Sequence, residues 1–140
     1  MPFTDTRTSK NEIGSNIEGS QGKLVTTRDN VAEWCKNRFR EDIIQRGLKV
    51  SDDSADIIID GEILQFHVSE KTLYESNVRI KITVKNSTGE VLWQGIMAGS
   101  ATRFGRSYKL ENYYETLSDA YLNAVKNVFK SQEFRAALQN

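Results

Sequence analysis

The sequence predicts an α+β fold, a four-stranded, mostly antiparallel sheet with two helices packed on one face, in the order strand-helix-strand-strand-strand-helix. Two stretches, beginning near residues 27 and 112, carry apolar side chains at three- and four-residue steps, which is typical of amphipathic helices. Between them, three segments alternate apolar and polar residues, as half-buried strands do. Since 140 residues is a usual size for one domain, we expect a single domain over residues 1–140.

The amino-terminal part is polar and contains several glycines. Residues 1–26 predict a short first strand, at about residues 2–6, followed by a long exposed loop. Residues 27–138 are then expected to hold the first helix, a three-stranded meander and the carboxyl-terminal helices.

The first helix is predicted over residues 27–46, with Thr27 as its cap and Gly47 as its stop. Its stripe is apolar except where Arg38 and Asp42 mark the rim. The members of the stripe are Val31, Trp34, Cys35, Arg38, Phe39, Asp42 and Ile43.

Three strands are predicted at residues 56–68, 78–85 and 91–101, with a hairpin turn at 86–89. A register that places Val84 opposite Val91 keeps apolar residues on one face. In the preceding hairpin, Glu62 opposite Lys81 brings opposite charges together on the outer face.

Two glycines on the inner face of these strands, Gly61 and Gly95, predict space for bulky side chains from the helices. We expect Trp34 or Tyr121 to fill it. The second long helix is predicted over residues 112–130, and Ser131 is expected to cap a short last helix. Its apolar stripe consists of Leu117, Tyr121, Ala124, Val125 and Val128.

Charge and composition exclude several classes of protein. Nineteen basic and nineteen acidic side chains leave no net field to attract nucleic acid, so no nucleic-acid partner is expected. One cysteine excludes an internal disulfide and a cysteine-cluster metal site. No apolar run approaches the roughly 20 residues that cross a bilayer. We expect no cofactor.

Cys35 and His67 are the one conceivable nucleophile pair, and a cleft near them would make the chain a small enzyme or a soluble ligand carrier. Because Cys35 lies on the apolar stripe of its helix, packing in the core is the favoured interpretation. We therefore expect the chain not to be an enzyme.

An acidic run could suggest calcium, but it lacks the spacing of an EF-hand loop. Its members are Asp52, Asp53, Asp56, Asp60 and Glu62. A solvated turn and cross-strand ion pairs explain them better, so no metal site is predicted.

Basic and aromatic residues alternate in segment 99–114, a mixture that can hold a phosphate or a lipid-linked sugar. The alternative is an ordinary strand-to-helix crossover whose aromatic residues pack under the helix. The candidate binding residues are Arg103, Phe104, Arg106, Tyr108, Lys109 and Tyr113.

A second candidate contact surface is the open face of the sheet, where Leu92, Ile96 and Ala98 would stand beside Thr83 and Arg79. An edge covered by the amino-terminal segment would explain the same residues.

Several stretches together resemble the YajG family of bacterial envelope lipoproteins, over nearly the whole chain, with an outline similar to the amino-terminal domain of TolB. The stretches are PFTDTR, TTRDNVAEWCKNRF, ADIIIDGEILQF, VKNSTGEVLWQG and RSYKLENYYETLSDAYLNAV.

The resemblance implies a non-enzymatic domain on the periplasmic face of the outer membrane, tethered through a lipidated amino-terminal cysteine. No lipid-box cysteine occurs in this sequence, so the anchor would not be part of this chain. The expected partner is an envelope protein or a glycolipid, with the membrane reached only through the anchor.

Overall fold

The computed structural model describes residues 1–16, 23–51, 55–104 and 110–139. Its elements, in chain order, are β1 (Phe3–Asp5), β2 (Glu12–Asn16), β3 (Lys23–Thr26), α1 (Val31–Gln45), β4 (Ile57–Glu70), β5 (Leu73–Asn86), β6 (Val91–Phe104), α2 (Leu110–Phe129) and α3 (Gln132–Ala137). The α+β class and the element order from α1 onward agree with the prediction.

Over the described residues, the sheet has six strands rather than the predicted four, in the order β3-β2-β4-β5-β6, with β1 also paired with β4. β1 and β2 both run parallel to β4 and pair with successive parts of it, Phe3 opposite Gly61 and Gly14 opposite Val68. They therefore occupy one strand position that is interrupted between residues 5 and 12.

The predicted long amino-terminal loop is corrected by β2 and β3, which form an antiparallel pair. Ile13 and Val25 are buried members of the core. Each strand has at most five residues, so neither gives a period long enough to read from the sequence. The glycines of residues 17–22 lie outside the described residues.

Helix α1 ends as predicted but begins later. Asn30 is the cap, since its side chain accepts a hydrogen bond from the Glu33 amide, while the hydroxyl of Thr27 serves other partners. Gly47, with φ +88°, ends the helix. Ser131 caps α3, as expected.

Both long helices pack on one face of the sheet. The ring of Trp34 on α1 lies 5.5 Å from Phe66 of β4 and 5.3 Å from Tyr121 of α2. The Tyr121 hydroxyl donates to the Cys35 carbonyl oxygen at 2.6 Å and ties the two helices together. Every residue of the predicted α2 stripe is buried.

A bulge at Leu64 changes the phase of β4. Ile63 and Phe66 both face the helices, and Val68 follows them inward. His67, between two inward residues, therefore faces the open side of the sheet.

The β5–β6 register differs from the prediction by two residues, because a second irregularity between Val84 and Lys85 places Val84 opposite Trp93. From Trp93 onward the inward residues are those predicted, since a shift of two preserves alternation. Val91, predicted to face inward, lies instead opposite Lys85 and is 51% exposed. Glu62 lies opposite Lys81, as predicted.

The glycine positions also differ from the prediction in what fills them. A side chain at Gly61 would meet the ring of Phe3, and one at Gly95 would meet the ring of Trp93. The space is thus filled from the sheet itself, not by Trp34 or Tyr121.

Candidate binding groove between the two long helices

The predicted basic and aromatic segment is not gathered into one cluster in the described part of the chain. Arg103, at the end of β6, pairs with Glu115 and, at 3.4 Å, with Asp119 of α2. Phe104 is 91% exposed. Arg106, Tyr108 and Lys109 lie outside the described residues.

Tyr113, the remaining predicted binding residue, is 1% exposed. Its hydroxyl donates to the buried Glu70 carboxylate at 2.6 Å, and its ring packs edge-on against Tyr74. This burial leaves Tyr113 no surface with which to meet a partner.

Cys35 and His67 lie on opposite sides of the sheet and form no common cleft. The thiol is fully buried, and burial strongly raises its pKa. The imidazole Nε2 lies 3.7 Å from the Glu12 carboxylate, but burial outweighs this carboxylate and lowers the pKa of His67. Within residues 1–16, 23–51, 55–104 and 110–139, no cluster of metal-ligating side chains occurs.

Arg7 closes the interruption between β1 and β2. Its guanidinium makes two bonds to the Asp5 carboxylate, at 2.9 and 2.8 Å, and both side chains are nearly buried. The remaining N–H groups donate to the carbonyl oxygens of Lys10, Glu12 and Phe66. All five donors are used, so the role of Arg7 is structural.

A groove runs between the amino-terminal part of α1 and α2, and we call it the helix groove. Its mouth, about 350 Å³ in volume, is lined by Asp29, Trp34, Arg38, Tyr114, Glu115 and Ser118. Beneath it lies a narrower apolar slot. Asp29, Trp34 and Tyr114 border both spaces, so the slot adjoins the mouth.

Helical spacing explains why these residues meet. Trp34 and Arg38 are four residues apart on α1, and Tyr114 and Ser118 are four apart on α2, so each pair occupies one helix face. A wall of the groove is fixed by the Tyr114 hydroxyl, which bonds to the Thr27 hydroxyl and to the Asp29 carboxylate at 3.1 Å.

The electrostatics of the groove favour hydrogen bonding over acid–base chemistry. Burial raises the pKa of Tyr114, so its hydroxyl stays protonated at neutral pH. The Trp34 indole N–H has no hydrogen-bond partner among the described residues and is not sealed from solvent. Arg38 meets Asp42 only at 3.9 Å, which leaves most of its donors available.

Sequence reasoning missed the helix groove because it assigned Trp34 to the core stripe. The signal in the sequence was an aromatic residue followed four positions later by a polar one on each helix, Trp34 with Arg38 and Tyr114 with Ser118. That signal has meaning only once the two helices are known to be neighbours.

A second space, the base pocket, lies where α1 ends and β4 begins, and measures about 530 Å³. Its lining is mainly apolar. The described lining residues are Met1, Ile43, Leu48, Lys49, Val50, Ser51, Ala55, Ile57, Ile58, Ile59, Ser87 and Leu138.

The open face of the sheet is mostly polar, with ion pairs such as Lys85–Asp60 at 2.5 Å. Ile96 is 44% exposed, whereas Leu92 packs partly against the core. Along the β6 edge, Asn127 and Asn123 of α2 donate to the carbonyl oxygens of Ala98 and Ser100, at 3.0 and 2.9 Å.

Among the helices of the described segments, none has both the length and the apolar character that a membrane crossing needs.

Comparison with solved structures shows that the fold recurs. Protein XCC0632 from Xanthomonas campestris, of family DUF330, matches with a TM-score of 0.70 and 8% identity, over 99% of this chain and 88% of that one. A candidate lipoprotein of Caulobacter crescentus matches with a TM-score of 0.62 and 8% identity, over 83% and 89%. At these identities the likeness concerns the fold alone.

A search of curated proteins found no significant match. A family model described as uncharacterized lipoprotein (Lipoprotein_16) matches residues 3–139, nearly the whole chain. Lipoprotein families occupy the cell envelope. The chain belongs to this family of uncharacterized lipoproteins.

Proposed function

We propose that the chain is a non-enzymatic domain of an envelope lipoprotein that binds a protein or glycolipid partner through the helix groove. The observation that carries the proposal is the groove itself, where two aromatic rings and polar groups with unused hydrogen-bonding capacity surround an accessible space. The thiol and the imidazole, the reactive groups that the sequence offered, are separated by the sheet.

Site-specific photo-crosslinking in cells tests this proposal. The native full-length protein would carry a photoreactive residue at Ser118 in the groove or, as a matched control, at Thr83 on the open sheet face. We expect a discrete adduct from position 118 that disappears when Trp34→Ala is added. Equal adducts from both positions, or none from position 118, would overturn the proposal.

For location, we propose the periplasmic face of the outer membrane, reached through a lipid anchor, and we propose that the chain belongs to the YajG group. Membership in a lipoprotein family and the motifs given above support this. Density separation of the two membranes from cells that express the native gene is the test. Recovery with the inner membrane would contradict it.

A second candidate function, a carrier of small apolar ligands, is favoured by the base pocket. Its volume lies within the range of about 300–1,000 Å³ typical of ligand sites. An apolar fluorescent dye should then bind the native protein but bind the Val50→Trp variant more weakly, because the larger side chain narrows the pocket. Dye binding that Val50→Trp leaves unchanged would remove this candidate.

A further inference from the structure

The slot beneath the helix groove is small and apolar. The centre of a water-sized sphere can move within about 10 Å³ of the slot. The slot therefore has room for one water molecule or one methyl group. Its walls include the buried side chains of Ile13, Val31, Phe66 and Leu117. Thr27, Asp29 and Tyr114 also border the slot, but their polar groups are hydrogen-bonded to one another. Because the rest of the lining is apolar and offers water few hydrogen bonds, a methyl group is the better occupant.

The mouth above the slot presents both hydrogen-bond donors and hydrogen-bond acceptors. The indole N–H of Trp34 and the guanidinium of Arg38 donate, the Asp29 carboxylate accepts, and the Ser118 hydroxyl can do either. Glu115 is already neutralised by Arg103. A ligand rich in hydroxyl groups, which both donate and accept, matches this set better than a charged one.

The walls also favour a sugar over a peptide. Extended peptides pair with a free strand edge, and helical ones need a long apolar groove. Side chains of two helices form this mouth, and its volume is that of a small-molecule site. Aromatic rings at such a mouth can pack against the C–H faces of a pyranose.

We infer that the helix groove binds a neutral N-acetylated hexosamine unit, with the acetamido methyl group in the slot and the ring beside Trp34 and Tyr114. This assignment deepens the proposed function and rests on it. The N-acetyl group supplies the one methyl that the slot admits, next to an amide and hydroxyl groups for the mouth.

Fluorescence titration and calorimetry with di-N-acetylchitobiose test the inference, with cellobiose as the arm that lacks the acetamido group. We expect saturable binding of the N-acetylated sugar and at least about tenfold weaker binding of cellobiose. The Trp34 emission should change on binding.

Two tryptophan variants provide matched controls. Trp34→Phe should weaken binding about tenfold or more, since it removes the indole N–H. Trp93→Phe should retain binding and the fluorescence change, because Trp93 packs against Phe134 at the far edge of the sheet. Val31→Leu, which extends into the slot, should abolish the preference over cellobiose, with thermal unfolding used to confirm that the variant is folded.

Equal affinity for cellobiose, or no binding of the N-acetylated sugar at millimolar concentration, would overturn the inference. If crosslinks from Ser118 persist in that case, the groove still binds a partner and only the sugar assignment fails. If the crosslinks are also absent, the proposed function fails with it.

Discussion

Arg7 shows how much of this fold depends on a single side chain. A parallel strand interrupted in its middle leaves backbone carbonyl groups without strand partners, and the planar guanidinium reaches three of them. Its charge is matched by Asp5, which is buried beside it. The pair is therefore the joint between β1 and β2.

Arg7→Ala should destabilise the protein by about 3–5 kcal/mol, because Asp5 would keep a buried charge without its partner. Chemical denaturation measures the change. The exposed Arg28→Ala should stay within about 0.5 kcal/mol. Adding Asp5→Asn to Arg7→Ala should recover only part of the loss, since the carbonyl groups stay unbonded. Full recovery would mean that the carbonyl bonds contribute little.

His67 permits a direct electrostatic test, because it is the sole histidine. Its folded-state pKa should lie below 6.5 in an NMR titration, since burial disfavours the imidazolium. Glu12→Gln should lower it further by removing the nearby negative charge. A pKa unchanged by Glu12→Gln would show that the contact at 3.7 Å is not made in solution.

The same shift has a consequence for stability. A histidine whose pKa is lowered by folding binds a proton more readily in the unfolded chain than in the folded one. The free energy of unfolding is therefore highest above about pH 6.5 and declines as the pH falls below that value. His67→Gln should reduce that decline, as measured by urea unfolding at pH 7.5 and 5.5.

Among the elements, helix α2 packs closely against β6 at Gly99. A Cβ at Gly99 would overlap the backbone nitrogen of Ala124 and the carbonyl oxygen of Ala120. Neither atom can move without moving the helix, so only glycine fits at this position.

Gly99→Ala should therefore cost about 1–3 kcal/mol of stability in thermal or urea unfolding. Ser100→Ala, at the neighbouring exposed position, is the matched control and should change stability little. Equal effects of the two substitutions would show that α2 moves away from the strand freely.

The elements also show what could be predicted from sequence. Long periodic stretches predicted α2 to within two residues at each end and α1 to within one residue at its end, because each repeats its pattern over three or more turns. The prediction for β5 covered only residues 78–85 and missed its first five residues. The bulge at Leu64 could not be foreseen, since an extra residue in β4 leaves the composition of the strand unchanged. The short strands β2 and β3 owe their stability to pairing with β4, a long-range contact that local pattern does not reveal.

At the scale of the whole molecule, the rate at which the Cys35 thiol is chemically modified measures how often the whole fold opens. The thiol lies in the core that both helices and the sheet share, and burial also raises its pKa, which disfavours the reactive thiolate. A thiol reagent should modify the native protein at least about a thousandfold more slowly than the urea-unfolded chain. Fast modification of the native state would indicate local opening of α1.

The candidate site was only partly accessible from sequence for a similar reason. Tyr114 is the last residue of the segment that was predicted to bind and Glu115 follows it, but Asp29, Trp34 and Arg38, which line the groove with them, lie in or just before α1, about eighty residues earlier. The groove exists because Tyr121 and Thr27 join the two helices through hydrogen bonds. Composition alone cannot bring such distant residues together.

The two asparagines at the rim of β6 limit how far the sheet can grow. Four residues of helix rise about 6 Å and two residues of strand about 6.8 Å, so Asn123 and Asn127 match the spacing of the Ala98 and Ser100 carbonyl groups. An incoming strand would find those acceptors taken. Side chains that occupy an exposed strand edge in this way hinder the edge-to-edge pairing through which copies of a protein join into fibrils.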